Sequence, residues 1–188
     1  FPLSMPSPLE THRPEFGRVI EHFQRELQSL RTGRASVQLV ENIRVEVYGQ
    51  SMDLKGVASL TTPDAKTLQI EPWDKSVVKD IERALIDASL GMQPNVAGTV
   101  IRLVMPPLTE ETRKNLVKVL GGKTEEARIG VRGVREKIKT AIMEEEKAKT
   151  ISEDDRRRLL EQLDKIVAEQ NQAIETIAEG KEAEILKV

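Results

Sequence analysis

Residues 109–155 read TEETRKNLVKVLGGKTEEARIGVRGVREKIKTAIMEEEKAKTISEDD, and the fold turns on them. Leu116, Leu120, Ala127, Val131, Val134, Ile138 and Ala141 hold a heptad-like register, with Lys123 at the one seam position that lacks an apolar residue. Thr109 is the expected N-cap. Glu110 and Glu111 then fall in the first turn, where the helix dipole favours acids. Gly121-Gly122 is expected to interrupt the pattern, at about 1 kcal/mol per glycine relative to alanine. The helix breaks at Thr150-Ile151-Ser152, and Ser152 followed by Asp155 has the form of a capping box. A second long helix follows, with Leu160, Leu163, Val167, Ile174 and Ile177 on its seam. Each helix is ~35–40 residues, or ~55 Å at the usual rise per residue.

Such a helix cannot bury its stripe inside a compact ball of 188 residues. Two of them joined by a short turn lie antiparallel. The third stripe that closes a bundle is Phe16, Val19, Phe23, Leu27 and Leu30, on a helix that Pro14 could open. The predicted class is α+β: a long antiparallel three-helix bundle from residues 14–30 and 109–188, with a small α/β domain, residues 37–105, inserted. The crossings at 31–36 and 105–109 are expected hinges. Residues 1–13, with Pro2, Pro6 and Pro8, read as a flexible tail. Met5 reads as the initiator, with residues 1–4 extraneous.

Inside the inserted domain Ile43, Val45 and Val47 alternate with polar residues, as a half-buried strand does. Gly49-Gln50 reads as a turn, and short apolar runs follow around Leu54–Leu60 and Leu68–Ile70. A helix is expected over about Ser76–Ser89, capped by Ser76, with Gly91 just past its end. Ile101, Leu103 and Met105 alternate again until Pro106-Pro107, which lack the amide hydrogens a ladder needs. Trp73 is expected to anchor this core.

Composition removes several functions. There is no cysteine, hence no disulfide, thiolate metal site or cysteine nucleophile. His12 and His22 alone are poor metal ligands. No G-x-G-x-x-G, G-x-x-x-x-G-K-S/T or G-x-S-x-G motif is present. Gly121-Gly122-Lys123-Thr124 echoes only the end of a phosphate loop, without its first glycine or preceding strand. Acids occur in runs such as Glu144-Glu145-Glu146, which read as solvated faces. The expectations are no enzyme activity, no cofactor, no metal and no membrane segment in a monomeric cytoplasmic protein.

Charge is the positive signal. The chain has 29 basic and 31 acidic residues, but nine basic and three acidic ones fall within 113–139, so that stretch carries +6 and the rest −8. At ~100° per residue, Arg128, Arg132, Arg135 and Lys139 fall within a sector of ~60°, about 90° from the seam, and Lys114 falls near it. Arginine forks match phosphate oxygens, so a polyanionic partner is indicated. Five aromatics in all make base stacking a weak alternative. A plain solvated face, or a helical adaptor whose seam pairs between chains as a coiled coil, fits the same residues.

The chain closely resembles the ribosome recycling factor family. The matching segments are Leu30-Arg31-Thr32-Gly33-Arg34-Ala35-Ser36, Leu90-Gly91-Met92-Gln93-Pro94-Asn95, Met105-Pro106-Pro107-Leu108-Thr109-Glu110-Glu111, Glu126-Ala127-Arg128-Ile129-Gly130-Val131-Arg132 and Ile151-Ser152-Glu153-Asp154-Asp155. The resemblance implies an L-shaped protein, with the three-helix bundle as one domain and a β/α/β sandwich as the other. It implies binding to the ribosome after translation termination and splitting into subunits together with elongation factor G, the GTP being hydrolysed by that partner. It places Arg128, Arg132 and Arg135 against large-subunit ribosomal RNA, with Arg31, Thr32, Gly33, Arg34, Pro106 and Pro107 at the hinge. Where family members carry Arg-Asn-x-Arg-Arg, this chain has Arg132-Gly133-Val134-Arg135-Glu136.

Overall fold

A capping box opens the first helix. In this computed structural model, which describes residues 6–187, the Ser7 hydroxyl accepts the Glu10 amide at 3.3 Å and the Ser7 amide donates to Glu10 Oε2 at 3.0 Å. Pro8 takes the first position of α1, Pro8–Gln28, where a missing amide hydrogen costs nothing. The expected tail is thereby corrected: residues 8–13 are helical, and Pro14 lies inside α1 instead of opening it. Packing is the reason. Pro8 and Leu9 are buried along with Phe16, Phe23 and Leu27, which offsets the ~3 kcal/mol or more that an interior proline costs. Residues 1–5, including the expected initiator Met5, lie outside the described residues.

Two compact units are present. One holds the described residues up to Arg31 with Glu110–Lys187; the other is Thr32–Thr109. The first contains α1, α3 (Glu110–Lys147) and α4 (Glu153–Lys187). α3 runs through Gly121-Gly122 without a break, at the length expected of it, and the glycine pair disturbs only the seam register. Its buried face is Leu120, Thr124, Ala127, Val131, Val134, Ile138 and Ile142. Thr124 takes the seam place expected of Lys123, and its hydroxyl donates to the Leu120 carbonyl at 2.8 Å. On α4 the buried residues are Leu159, Leu163, Ile166, Ile174 and Ile185, while Leu160, Val167 and Ile177 are half-buried.

Cross-helix pairs give the register. Arg113 meets Leu186, Arg128 meets Glu175, Arg135 meets Asp164 and Glu146 meets Arg156. The paired numbers rise on one helix as they fall on the other, so α3 and α4 are antiparallel. Lys123 with Glu26 and Lys137 with Glu15 show the same for α1 and α3. Lys149, at φ 61°, turns the chain after α3. Ser152 and Asp155 then cap α4: the Asp155 amide donates to Ser152 Oγ at 3.1 Å and the Ser152 hydroxyl donates to Asp155 Oδ2 at 2.7 Å. The hydrogen bonds that the carboxyl itself accepts, from the Ser152 hydroxyl and the Ser152 backbone amide, hold Asp155 below its usual range.

The second unit begins with a hairpin, β1 (Arg44–Val47) and β2 (Gln50–Asp53), closed by Tyr48 and Gly49 at φ 52° and 72°. Two consecutive positive φ values are those of a tight hairpin turn. An antiparallel four-stranded sheet follows in the order β3-β4-β6-β5, from β3 (Ala58–Thr61), β4 (Thr67–Pro72), β5 (Pro94–Ala97) and β6 (Val100–Val104). Helix α2, Val78–Asp87, supplies Ile81 and Leu85 to a core shared with Val45, Val47, Leu68, Ile70, Ile101 and Leu103. Ser76 does not cap this helix. The Asp74 carboxylate accepts the Ser76 amide at 2.8 Å and opens a short 3-10 turn, Lys75–Val77, ahead of α2. Trp73 is 68% exposed and lies outside the buried core, which corrects the expectation for it.

Candidate nucleic-acid interface

The candidate residues on α3 divide by their partners. Arg128 donates to Glu175 of α4 and lies 3.7 Å from Glu125 on its own helix. Arg135 is held on every side: Nε and Nη2 donate to Asp164 Oδ1 at 3.3 and 3.0 Å, and Nη1 donates to Glu136 Oε1 at 2.8 Å. The hydrogen bonds from Asp164, and secondarily Glu136, push its pKa above the ordinary arginine value. Lys114 pairs with Glu110, one turn earlier, at 3.0 Å. Arg132 and Lys139 are exposed and have no ion-pair partner among the described residues.

Arg132 and Lys139 are seven residues apart, so they share a face of α3 within ~20° and stand ~10.5 Å apart along it. They are the cations this face presents to a partner without first breaking a bond. Gly133, beside Arg132, has open space where a side chain would stand. The neighbouring Lys137 points elsewhere and donates to Glu15 Oε1 of α1 at 2.7 Å, an oxygen that also meets His12 Nδ1 at 2.8 Å.

Counting acids on α3 alone therefore overstated the free charge of the stripe. Glu175 and Asp164 arrive from α4, and Glu15 from α1. Their signal was present in the sequence: antiparallel helices joined at residues 148–152 place positions whose numbers sum to about 300 side by side, which pairs 128 with 175 and 135 with 164.

The residues expected at the hinges lie at the limits of the second unit. Arg31, Arg34, Pro106 and Pro107 are exposed, Thr32 and Gly33 are buried, and Gly33 has φ 76°, a conformation glycine adopts without strain. The Ala35 amide donates to the Ala65 carbonyl and the Met105 amide to the Lys66 carbonyl, both at 2.8 Å. Those two bonds fasten the ends of both crossings to one loop. Among the described residues no acid or histidine cluster suits a metal ion, and no helix is long and apolar enough to cross a membrane.

Comparison with known proteins agrees along nearly the whole chain. The sequence profile described as ribosome recycling factor matches residues 23–186. The ribosome-recycling factor of Syntrophomonas wolfei is 43% identical over 171 residues, which is 91% of this chain and 92% of that one. A solution structure of a ribosome recycling factor superposes with a TM-score of 0.71 at 39% identity, covering 98% of this chain and 100% of that one. A second structure describes the Thermus thermophilus recycling factor and the Escherichia coli elongation factor G bound to the E. coli post-termination complex. It matches with a TM-score of 0.61 at 35% identity, over 95% of this chain and 97% of that one. A helical unit with an inserted α/β unit, a basic face on its longest helix and these likenesses together place the chain in the ribosome recycling factor family.

Proposed function

We propose that the protein binds the ribosome after termination and acts with elongation factor G to separate the subunits, the partner hydrolysing the GTP. The observation that carries the RNA side of this reading is the couple Arg132 and Lys139, without ion-pair partners among the described residues, on one face of a stiff α3. Phosphates of large-subunit ribosomal RNA meet those two first. Arg128 and Arg135 join once their carboxylates are released, and Lys114 extends the contact toward the start of the helix. The protein is then a wedge without chemistry of its own, working in the cytoplasm as a monomer. Residues 31–36 and 105–109 serve as hinges, since Gly33 and Pro106-Pro107 add few backbone bonds there. Support comes from the relative whose structure is described with elongation factor G on the post-termination complex.

The coiled-coil adaptor reading needs the α4 seam for another chain. Leu163 and Ile174 are instead fully buried in the chain's own bundle. The test of the proposal is a subunit-splitting assay on post-termination ribosomes with elongation factor G and GTP. Wild-type protein is expected to split them, and Arg132→Glu at limiting factor to fail. Full splitting by Arg132→Glu removes this face from the mechanism.

A further inference from the structure

Glu175 takes one nitrogen of the Arg128 fork, and one Asp164 oxygen takes two of Arg135's, donors that phosphate would use. Resting on the proposal that this face holds ribosomal RNA, we infer that these two α4 carboxylates set its affinity and selectivity. They stand in for phosphate on Arg128 and Arg135 until RNA displaces them.

The chemistry of the pairs supports exchange. Carboxylate and phosphate offer a guanidinium the same acceptor geometry, so either fits the same fork. Asp164 is 62% exposed and Glu175 45%, so both pairs stand in solvent. Exposed pairs hold weakly and are screened by salt. They are strong enough to keep long side chains ordered against α4 and weak enough to yield to a denser anion. The two acids are eleven residues apart and so share a face of α4 within ~20°. Both are aimed at α3 by the antiparallel register. Arg135 carries a second carboxylate, Glu136, at 2.8 Å, so its release is the harder of the two.

The consequence is an ordered recognition. Arg132 and Lys139 take phosphate without cost, whereas Arg128 and Arg135 take it only by exchange. A folded RNA that presents several phosphates in register repays the exchange. A flexible single strand does so poorly. Glu175 and Asp164 touch no RNA in this scheme and act only through the arginines.

The experiment measures binding of the intact protein to purified large ribosomal subunits and to poly(U), across salt concentrations. The variants are Glu175→Gln, Asp164→Asn, their double, and Glu169→Gln as a control. Glu169 is exposed on α4 and has no ion-pair partner among the described residues, and its neutralisation changes the net charge by the same amount. Arg132→Ala is included, and thermal melts check that every variant is folded. The expected result is that each pairing acid, once neutralised, tightens binding by about two- to five-fold beyond the control. The salt slope steepens by up to about 0.7–0.9 per acid removed, and poly(U) gains more than the subunits do. A purely structural role would weaken binding instead. Pairing-acid variants that bind no tighter than Glu169→Gln overturn the inference, while a weakened Arg132→Ala leaves the RNA-face proposal standing. An Arg132→Ala that binds like wild type overturns both.

Discussion

Gly122 and Gly130 both lie inside α3, yet their surroundings call for opposite outcomes. A methyl group at Gly122 would meet nothing within 4 Å, while one at Gly130 would sit 3.0 Å from Val19 Cγ1 on α1. Gly122→Ala is expected to raise stability by about 1 kcal/mol through helix propensity alone. Gly130→Ala forfeits that gain, because β-branched Val19 has few rotamers to retreat into. Urea unfolding of the two variants checks the contrast, and an equal gain in both would show that α1 yields freely. The same scale shows where periodicity misleads. Heptad spacing assigned the seam to Lys123, because a step of three from Leu120 and of four to Ala127 lands there. Burial follows satisfied polarity instead: Thr124 bonds its own helix and goes inside. Lys123 keeps most of its stem covered and carries its ammonium to Glu26.

At the scale of elements, the start of α1 was legible and was misread. Ser7-Pro8-Leu9-Glu10 carries the capping box and a proline at the first position, but the density of prolines suggested a tail. Ser7→Ala is expected to cost about 1 kcal/mol; no change in unfolding would mean the first turn adds nothing. The helices are also tied by carboxylates. The Glu15 carboxyl lies below its ordinary 4.5, first through the hydrogen bond from Lys137 and then that from His12; Glu26 is lowered by the hydrogen bond from Lys123. A depressed carboxyl adds stability above its unfolded value and loses it as pH falls through the folded one. Stability is therefore expected to decline on the acid side, below pH 4.5, and the decline should be shallower in Glu15→Gln/Glu26→Gln. Unfolding at stepped pH measures it, and an unchanged acid limb would place the acid sensitivity elsewhere.

Over the whole molecule, the division into a bundle and an inserted unit was readable because long heptad seams and short alternating strands have different periods. Val45/Val47, Leu68/Ile70 and Ile101/Leu103 went inside as their alternation indicated. Trp73 did not, since size and apolarity alone say nothing about which side of a strand end a residue leaves. The basic stripe was readable on its own helix alone, whereas its pairing needed the antiparallel register as well, because Glu175 and Asp164 come beside it only once α4 is folded back on α3. On the proposed reading, function rests on Arg132 and Lys139, which have no ion-pair partner among the described residues, as phosphate ligands on a rod. The most direct test is binding to large ribosomal subunits as a function of salt for wild type, Arg132→Ala and Lys139→Ala. Weaker binding is predicted in both variants, with the slope of log K against log salt flattened by about 0.7–0.9 for each phosphate no longer held. Wild-type affinity and slope in both would contradict a phosphate-gripping role for this face.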